Sequence, residues 1–416
     1  MAKPKLALIP AAQGSDKLFS VLPSSGVGDF DFIRPSSATR INSKGLIEEV
    51  ATKESRLNYP LIDGKAVGCP HHILEPQRTN FISYSNNFSV SYWLKEAFLN
   101  ASVPVVTSNY STSPDGSLNA SRIVFNLNGG TTSNDVSQLE GSVVSNGGSI
   151  TNSLWIKSNT DSSYNMSFVR PNGFYSSILV TTEWQRFVIS SSIAGVNSTL
   201  RLRLRGSENT SDTADVSVWG AQVEEGLLYP TSYIPTNGEV NGVTRSEESA
   251  DNAGNLDTFN SSEGVLMIEA SALVDDMSER RFSINDGTSS NVVRIGYTST
   301  SERIVAVVYN GIDEAFLNYD YASIIHNNKI LLKYKENDFA LWINGFKAST
   351  DSGGPSFPEA TLTNMNFDDG SGGNKFYGKV KQVQYYDSAL TDSELEQLTS
   401  WMSFLDMAQG QQYSIK

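Results

Sequence analysis

Three histidines and one cysteine are the whole supply of imidazole and thiol in this 416-residue chain. His71 and His72 follow Cys69 and Pro70, a grouping that invites a metal reading. Adjacent residues on a strand point to opposite faces, so the two rings do not meet one ion, and packing in a turn or core accounts for them better. His326 adjoins Asn327 and Asn328 in a turn-like stretch and reads as solvated. The vicinal acids Glu224–Glu225, Asp275–Asp276 and Asp368–Asp369 diverge for the same reason. Glycoside hydrolysis needs two carboxylates facing one bond, as the strand motif E-x-D-x-x-E supplies. That motif is missing, as are G-x-S-x-G and the P-loop. The expectation is a protein without catalysis, although a site assembled across subunits stays open.

Two other chemistries fit the residue types better. Asp368 and Asp369, with Asn366 and Gly370 beside them, offer hard oxygen donors on a flexible turn, as does Asp286–Gly287. Calcium is therefore the one cofactor left open, with none as the plain alternative. Sugar recognition would use exposed rings to cover pyranose faces and amides to meet hydroxyls. Tyr164, Phe174, Tyr175 and Trp93 are the ring candidates in the first half of the chain, and Tyr309, Tyr319 and Tyr321 in the second. Trp155, Trp184, Trp219 and Trp342 are assigned to cores, where most aromatic rings of β-proteins go.

Composition narrows the partners. The chain is 39% hydrophobic and only 18% charged, the remainder rich in Ser, Thr, Asn and Gly, which suits short strands joined by polar turns. A net charge of -14 argues against nucleic acid, whose phosphates want a basic face. No run approaches the ~20 apolar residues of a membrane-spanning helix, so no membrane insertion is expected. The stretch Leu6–Pro10 is too short for the core of a signal peptide, and one cysteine permits no internal disulfide. Folding in a reducing cytosol is expected.

The elements that must hold these residues are mostly strands. Phe339, Leu341 and Ile343 alternate with Ala340, Trp342 and Asn344, and Asn344–Gly345 closes the run as a hairpin turn. A second β-rich run covers Phe376 to Asp387. A helix then starts at Thr391, with Glu394 completing a capping box, Leu390 stapling to Leu395, and Leu395, Leu398, Met402 and Leu405 on one face. The order Trp342, Asn344, Gly345, then Gly378, Val380, Val383, Tyr386, then Ala389, Leu390, Thr391, Glu394, Leu395 resembles the concanavalin A-like, laminin-G-like sandwich. The resemblance covers about residues 260 to 405 and implies a fold that mostly binds glycans or proteins.

The first half carries its own markers. Ala38-Thr39-Arg40-Ile41-Asn42 and Gly45-Leu46-Ile47-Glu48-Glu49-Val50 form a hairpin pattern, followed by Leu74-Glu75-Pro76-Gln77-Arg78-Thr79-Asn80 and Tyr84-Ser85-Asn86-Asn87-Phe88. This wording resembles a module of bacteriophage tail-fibre and spike proteins. Trp219-Gly220-Ala221-Gln222 and Pro230-Thr231-Ser232-Tyr233-Ile234-Pro235-Thr236 are similar to the last strand of a jelly roll of the carbohydrate-binding-module kind. The fold expected is all-β: two consecutive sandwiches, a jelly roll and then a concanavalin A-like one, with one short C-terminal helix. The divisions are an N-terminal arm over 1–30, the jelly roll over 31–240, a polar linker over 241–260 and the second sandwich over 261–416. The resemblance implies a virion protein, a fibre, spike or head appendage, that binds a host cell-surface glycan. It would attach to other virion proteins through its arm and assemble as a homo-oligomer, a trimer by analogy. A purely structural virion role and a polysaccharide depolymerase are the alternatives.

Overall fold

The computed structural model describes residues 2–12, 14–62, 64–144, 148–169, 173–192, 197–320, 322–403 and 406–407. Tyr321 and Leu405, both singled out in the sequence, lie outside them. The described chain is all-β, with one well-formed helix, Asp392–Thr399.

The first sandwich packs two antiparallel five-stranded sheets face to face. One runs Leu94–Phe98, Val136–Val144, Asn197–Arg205, Tyr164–Val169, Tyr175–Val180. The other runs Ser102–Ser111, Ala120–Asn126, Thr213–Glu225, Ile150–Ser158, Gln185–Ser191. Alternation sends Ile123 and Phe125 inward from one strand and Met166 and Phe168 from another, into a core shared with Leu139, Leu154, Leu202 and Val216.

The second sandwich sets a nine-stranded sheet against a five-stranded one. Glu263–Ala272 lies at the middle of the large sheet, between Gly378–Tyr386 and Asn328–Lys335. The alternation in Phe339–Ile343 is the pattern of a half-buried strand, yet all five residues are buried. The helix explains this. Leu395 and Leu390 cover the outer side of the sheet, packing with Trp342, Ala340, Leu331 and Met267, so both faces of the strand are out of water. The Asn344–Gly345 turn has φ of 50° and 92°, the pair of positive values a two-residue hairpin requires. Glu394 accepts hydrogen bonds from the Thr391 backbone N–H at 3.0 Å and its hydroxyl at 2.9 Å. The helical face is shorter than the sequence pattern suggested: it stops at Thr399, and Met402 is 94% exposed.

The divisions of the chain differ from the sequence reading at both joins. Residues 1–30, read as an arm, supply Leu6–Leu8, which pairs with Gly378–Tyr386 inside the large sheet, and Ser20–Leu22 beside it. Leu6 and Leu8 are fully buried, so this stretch finds its partner within its own chain. Residues 241–260, read as a linker, carry Val243–Arg245, paired with Arg78–Asn80, and Ser249–Asp251, paired with Phe30–Ile33. His71–Leu74 adds to the large sheet next to Gly378. The second sandwich therefore draws strands from both sides of the first in sequence. Polar composition suggests a free linker there, but Arg245 and Glu248 within it are buried ion-pair partners.

Candidate functional site

A cleft of about 320 Å³ opens beside the first sandwich, where four separate segments converge. Asn86 and Asn87 come from the loop after Arg78–Asn80, Ser108 and Asn109 from the edge strand Ser102–Ser111, Asn119 from the approach to Ala120–Asn126, and Pro235 to Glu239 from the chain leaving the sandwich. Pairing of the edge strand slips between Thr107 and Ser111, and Asn109 takes φ of 53°, so an irregularity turns Ser108 and Asn109 off the ladder. Asn tolerates that conformation better than most residues.

The amides are held in defined orientations. Asn86 Oδ1 accepts from Gly220 N–H at 3.1 Å and from the Tyr233 hydroxyl at 2.8 Å. Asn87 Oδ1 accepts from Ser89 N–H at 3.2 Å and Ser89 Oγ at 2.7 Å. With both carbonyls engaged, the amide NH₂ groups are what these residues have left to offer. Asn119 is turned the other way: its Nδ2 donates to Asp115 Oδ2 at 2.9 Å, and its Oδ1 is buried without a partner. Burial works to raise the Asp115 carboxyl, but hydrogen bonds from Ser113, Ser117 and Asn119 outweigh it and hold it below its ordinary value. It therefore stays an acceptor for Asn119. Burial pushes the Tyr233 phenol well above its ordinary value, so it stays a donor to Asn86. Tyr233 in turn packs on Trp219 and Trp155, which floor this side of the sheet.

The cleft thus combines neutral donors with a neutral orphan acceptor. A hydroxyl both donates and accepts, and a polyol presents several at fixed spacing. An acceptor left unpaired in a buried position costs about 1–3 kcal/mol, a cost that Asn119 Oδ1 carries beside the cleft. The lining contains one carboxylate, Glu239, where glycoside hydrolysis uses two.

The rings chosen from sequence do not form one site. Trp93 is 1% exposed, stacked on Phe88 in the core with its indole N–H donating to Tyr84 O at 2.9 Å, so it cannot cover a sugar. Tyr164 is half-buried against the same core, its hydroxyl 2.8 Å from Thr160 Oγ1. Phe174 and Tyr175 are exposed, at 69% and 43%, but they belong to the opposite sheet from the cleft. There Tyr175 ends a cross-strand row through Val169, Arg201 and Glu140 to Leu94, with Arg201 and Glu140 ion-paired at 2.6 Å. Tyr309 and Tyr319 are half-buried in the second sandwich. Of the tryptophans assigned to cores, Trp219 and Trp342 are buried, while Trp155 and Trp184 are half-buried on the outer face of a sheet.

The acidic turn closes on itself. Asp368 is 4% exposed and accepts from Gly370 N–H at 2.6 Å, while Asp369 accepts from Ser371, Gly373 and Asn374. Among the described residues no group of three or more His, Cys, Asp or Glu is placed to hold a metal ion. His71 and His72 are both buried in a sheet strand, and Cys69 is exposed.

The five asparagines of the cleft escaped sequence reasoning. Each stands in a turn-rich stretch, where Asn is expected for backbone reasons alone.

No family model matches the chain, and no curated protein matches it. Among solved structures it is similar to the CBM40 module of a Ruminococcus gnavus IT-sialidase bound to α2,3-sialyllactose, at 16% identity and TM-score 0.30, over 36% of this chain and 93% of that one. It is also similar to a leech intramolecular trans-sialidase, at 18% identity and TM-score 0.30, over 37% of this chain and 27% of that one. A third is domain 4 of the Geobacillus stearothermophilus arabinanase AbnA in complex with arabinotriose, at 10% identity and TM-score 0.27, over 42% and 83%.

Proposed function

We propose that this chain is a non-catalytic, glycan-binding structural protein of a bacteriophage particle, and that the asparagine-lined cleft receives the hydroxyls of a neutral sugar on the host surface. The observation that carries the glycan reading is the cleft itself. Asn86, Asn87, Asn109, Asn119 and Asn237 converge from separate segments, with a single charged neighbour. The particle role rests on the resemblance of residues 38–88 to fibre and spike modules. Assembly as a homotrimer belongs to the same reading and is checked by light scattering, where a monomer at micromolar concentration would count against it.

The deciding experiment is a glycan array with the recombinant protein, followed by titration of the best neutral hit against Asn86→Ala and Asn119→Ala. Binding weakened in both variants, with melting temperature retained, supports the reading. Absence of any saturable glycan binding would leave a purely structural virion role. Release of reducing ends from the bound polysaccharide would make the protein a depolymerase. Binding that survives EDTA unchanged fits a site that needs no calcium.

A further inference from the structure

A second groove, of about 350 Å³, lies between the two sandwiches. Arg78 and Tyr229 enter it from the first sandwich and its flank, and Arg280, Lys375 and Tyr377 from the second, with Pro76 and Leu227 as apolar wall. Sites of small-molecule size favour such junctions.

The charges of the groove are nearly, but not fully, paired off. Arg280 bonds Asp276 at 2.8 Å, Arg281 bonds Glu279 at 3.2 Å, and Lys375 bonds Glu247 at 2.5 Å. Arg78 is the third cation of the lining, beside Arg280 and Lys375, and it makes no ion pair among the described residues. Its Nη1 donates to the Gln77 carbonyl at 2.7 Å, and its Nε is buried without a partner. Arg280, 3% exposed, also has Nε buried without a partner. A guanidinium is a rigid fork suited to a planar carboxylate, and it cannot shed its charge to escape burial. In a chain of net charge -14, a cation kept unpaired at a cavity wall is a feature that folding alone does not reward. Two carboxylates, Asp276 and Glu279, also line the groove, each ion-paired to an arginine, and the other polar groups of the lining are neutral. Burial pushes the Tyr229 phenol up to about 12, so it meets an anion as a donor, and Ser278 and Asn374 complete a hydroxyl-and-amide rim.

We infer that this groove binds a carboxylate-bearing sugar residue, with Arg78 clamping the carboxylate, Tyr229 donating to it or to an adjacent hydroxyl, and Pro76 and Leu227 against the C–H face of the ring. The site is separate from the asparagine cleft and takes the opposite class of sugar.

Titration calorimetry of the full chain with glucuronic acid and N-acetylneuraminic acid tests this, with glucose, acetate, inorganic phosphate and a peptide ending in Glu as comparators. The expected result is saturable binding of at least one acidic sugar about tenfold or more tighter than any comparator, the scale of one charge-assisted pair. Arg78→Gln should weaken it about tenfold, and Tyr229→Phe severalfold with the fold intact, which keeps the test decisive if Arg78→Gln unfolds. Equal binding of acetate or phosphate would reduce the site to a plain anion hole and overturn the inference. So would equal binding of the acidic peptide, no binding of either acidic sugar, or wild-type affinity in Tyr229→Phe together with Arg78→Gln. Neutral-sugar binding is read separately on Asn86→Ala, so the two readings fail independently.

Discussion

Arg56 and Glu248 stand 192 residues apart in the chain and meet through two parallel hydrogen bonds, both side chains removed from water. Nε donates to Oε1 at 2.8 Å and Nη2 to Oε2. Arg34 shares Glu248, Arg245 and Arg56 share Glu75, and backbone carbonyls of Thr39, Ala51 and Pro76 take the excess donors. Burial alone would lift the Glu75 carboxyl, but Arg245 and Arg56 drive it far below the ordinary range, so it stays ionised. A buried network of this kind gains little over an apolar core, yet breaking it is costly. Glu248→Gln leaves Arg34 and Arg56 with half their partner and should cost about 3–5 kcal/mol in denaturant unfolding. Asp392→Asn, which breaks an exposed pair with Lys347, should cost no more than ~1 kcal/mol.

The helix offers a graded series. Leu395 is fully buried under the helix, so Leu395→Ala should cost about 2–5 kcal/mol. Thr391→Ala, at the N-cap, should cost ~1 kcal/mol. Met402→Ala should change nothing measurable, since its side chain lies in solvent. Thermal melts that ranked Met402 with Leu395 would mean that the helix docks by a different face.

A buried group and a half-buried one set opposite pH dependences. Burial lowers His72 to about 4, and both ring nitrogens lack partners. Between about pH 6.5 and 4 the unfolded chain binds a proton that the folded chain refuses, so stability falls as pH falls. Asp251 runs the other way: burial first, then the neighbouring Asp368, raises it to about 6. From about pH 4 to 6 the folded chain holds a proton that the unfolded chain releases, so this contribution falls as pH rises. Asp251→Asn should therefore stabilise at pH 7, on the order of 1–3 kcal/mol, and do little at pH 4. His72→Leu should flatten the acid limb of a plot of melting temperature against pH. An unchanged profile in both variants would sink this account.

Neutral-sugar binding at the cleft should be nearly insensitive to salt, because amides and hydroxyls carry no net charge to screen over a Debye length of about 8 Å. Acidic-sugar binding at Arg78 should weaken as salt rises. Parallel titrations at low and high ionic strength separate the two, and a strong salt effect on the neutral sugar would place it outside the cleft.

Much of the fold was legible because local chemistry and tertiary packing agree. Gly45 turns the hairpin that joins Ala38–Ile41 to Ile47–Val50, with φ of 79°, and Leu390 packs with Leu395 as the stapled pair. What stayed hidden depends on partners remote in sequence. Glu247 and Glu248 sit among polar residues that look solvated, and nothing local announces that Arg34 and Arg56 will enclose the second of them. Trp93 was misjudged too: Phe88 and Tyr92 pack on it from nearby in sequence, but Gly141, whose missing side chain leaves room for the ring, comes from a remote strand. The cleft was invisible because five asparagines in four separate segments look like ordinary turn and strand residues until those segments meet.

The pairing of Leu6–Leu8 with Gly378–Tyr386 has a consequence for the order in which the molecule folds. Leu6–Leu8 belongs in a sheet whose neighbouring strand lies on the far side of the whole first sandwich in sequence. Until that strand is in place Leu6 and Leu8 have no slot, and the first sandwich, whose ten strands all fall between Leu94 and Glu225, can finish without them. The second sandwich cannot. Its closure waits on Gly378–Tyr386 and is a long-range event by necessity, slow relative to the local hairpins. During that interval Leu6–Leu8 is an exposed apolar edge, open to pairing with the same strand of another folding copy.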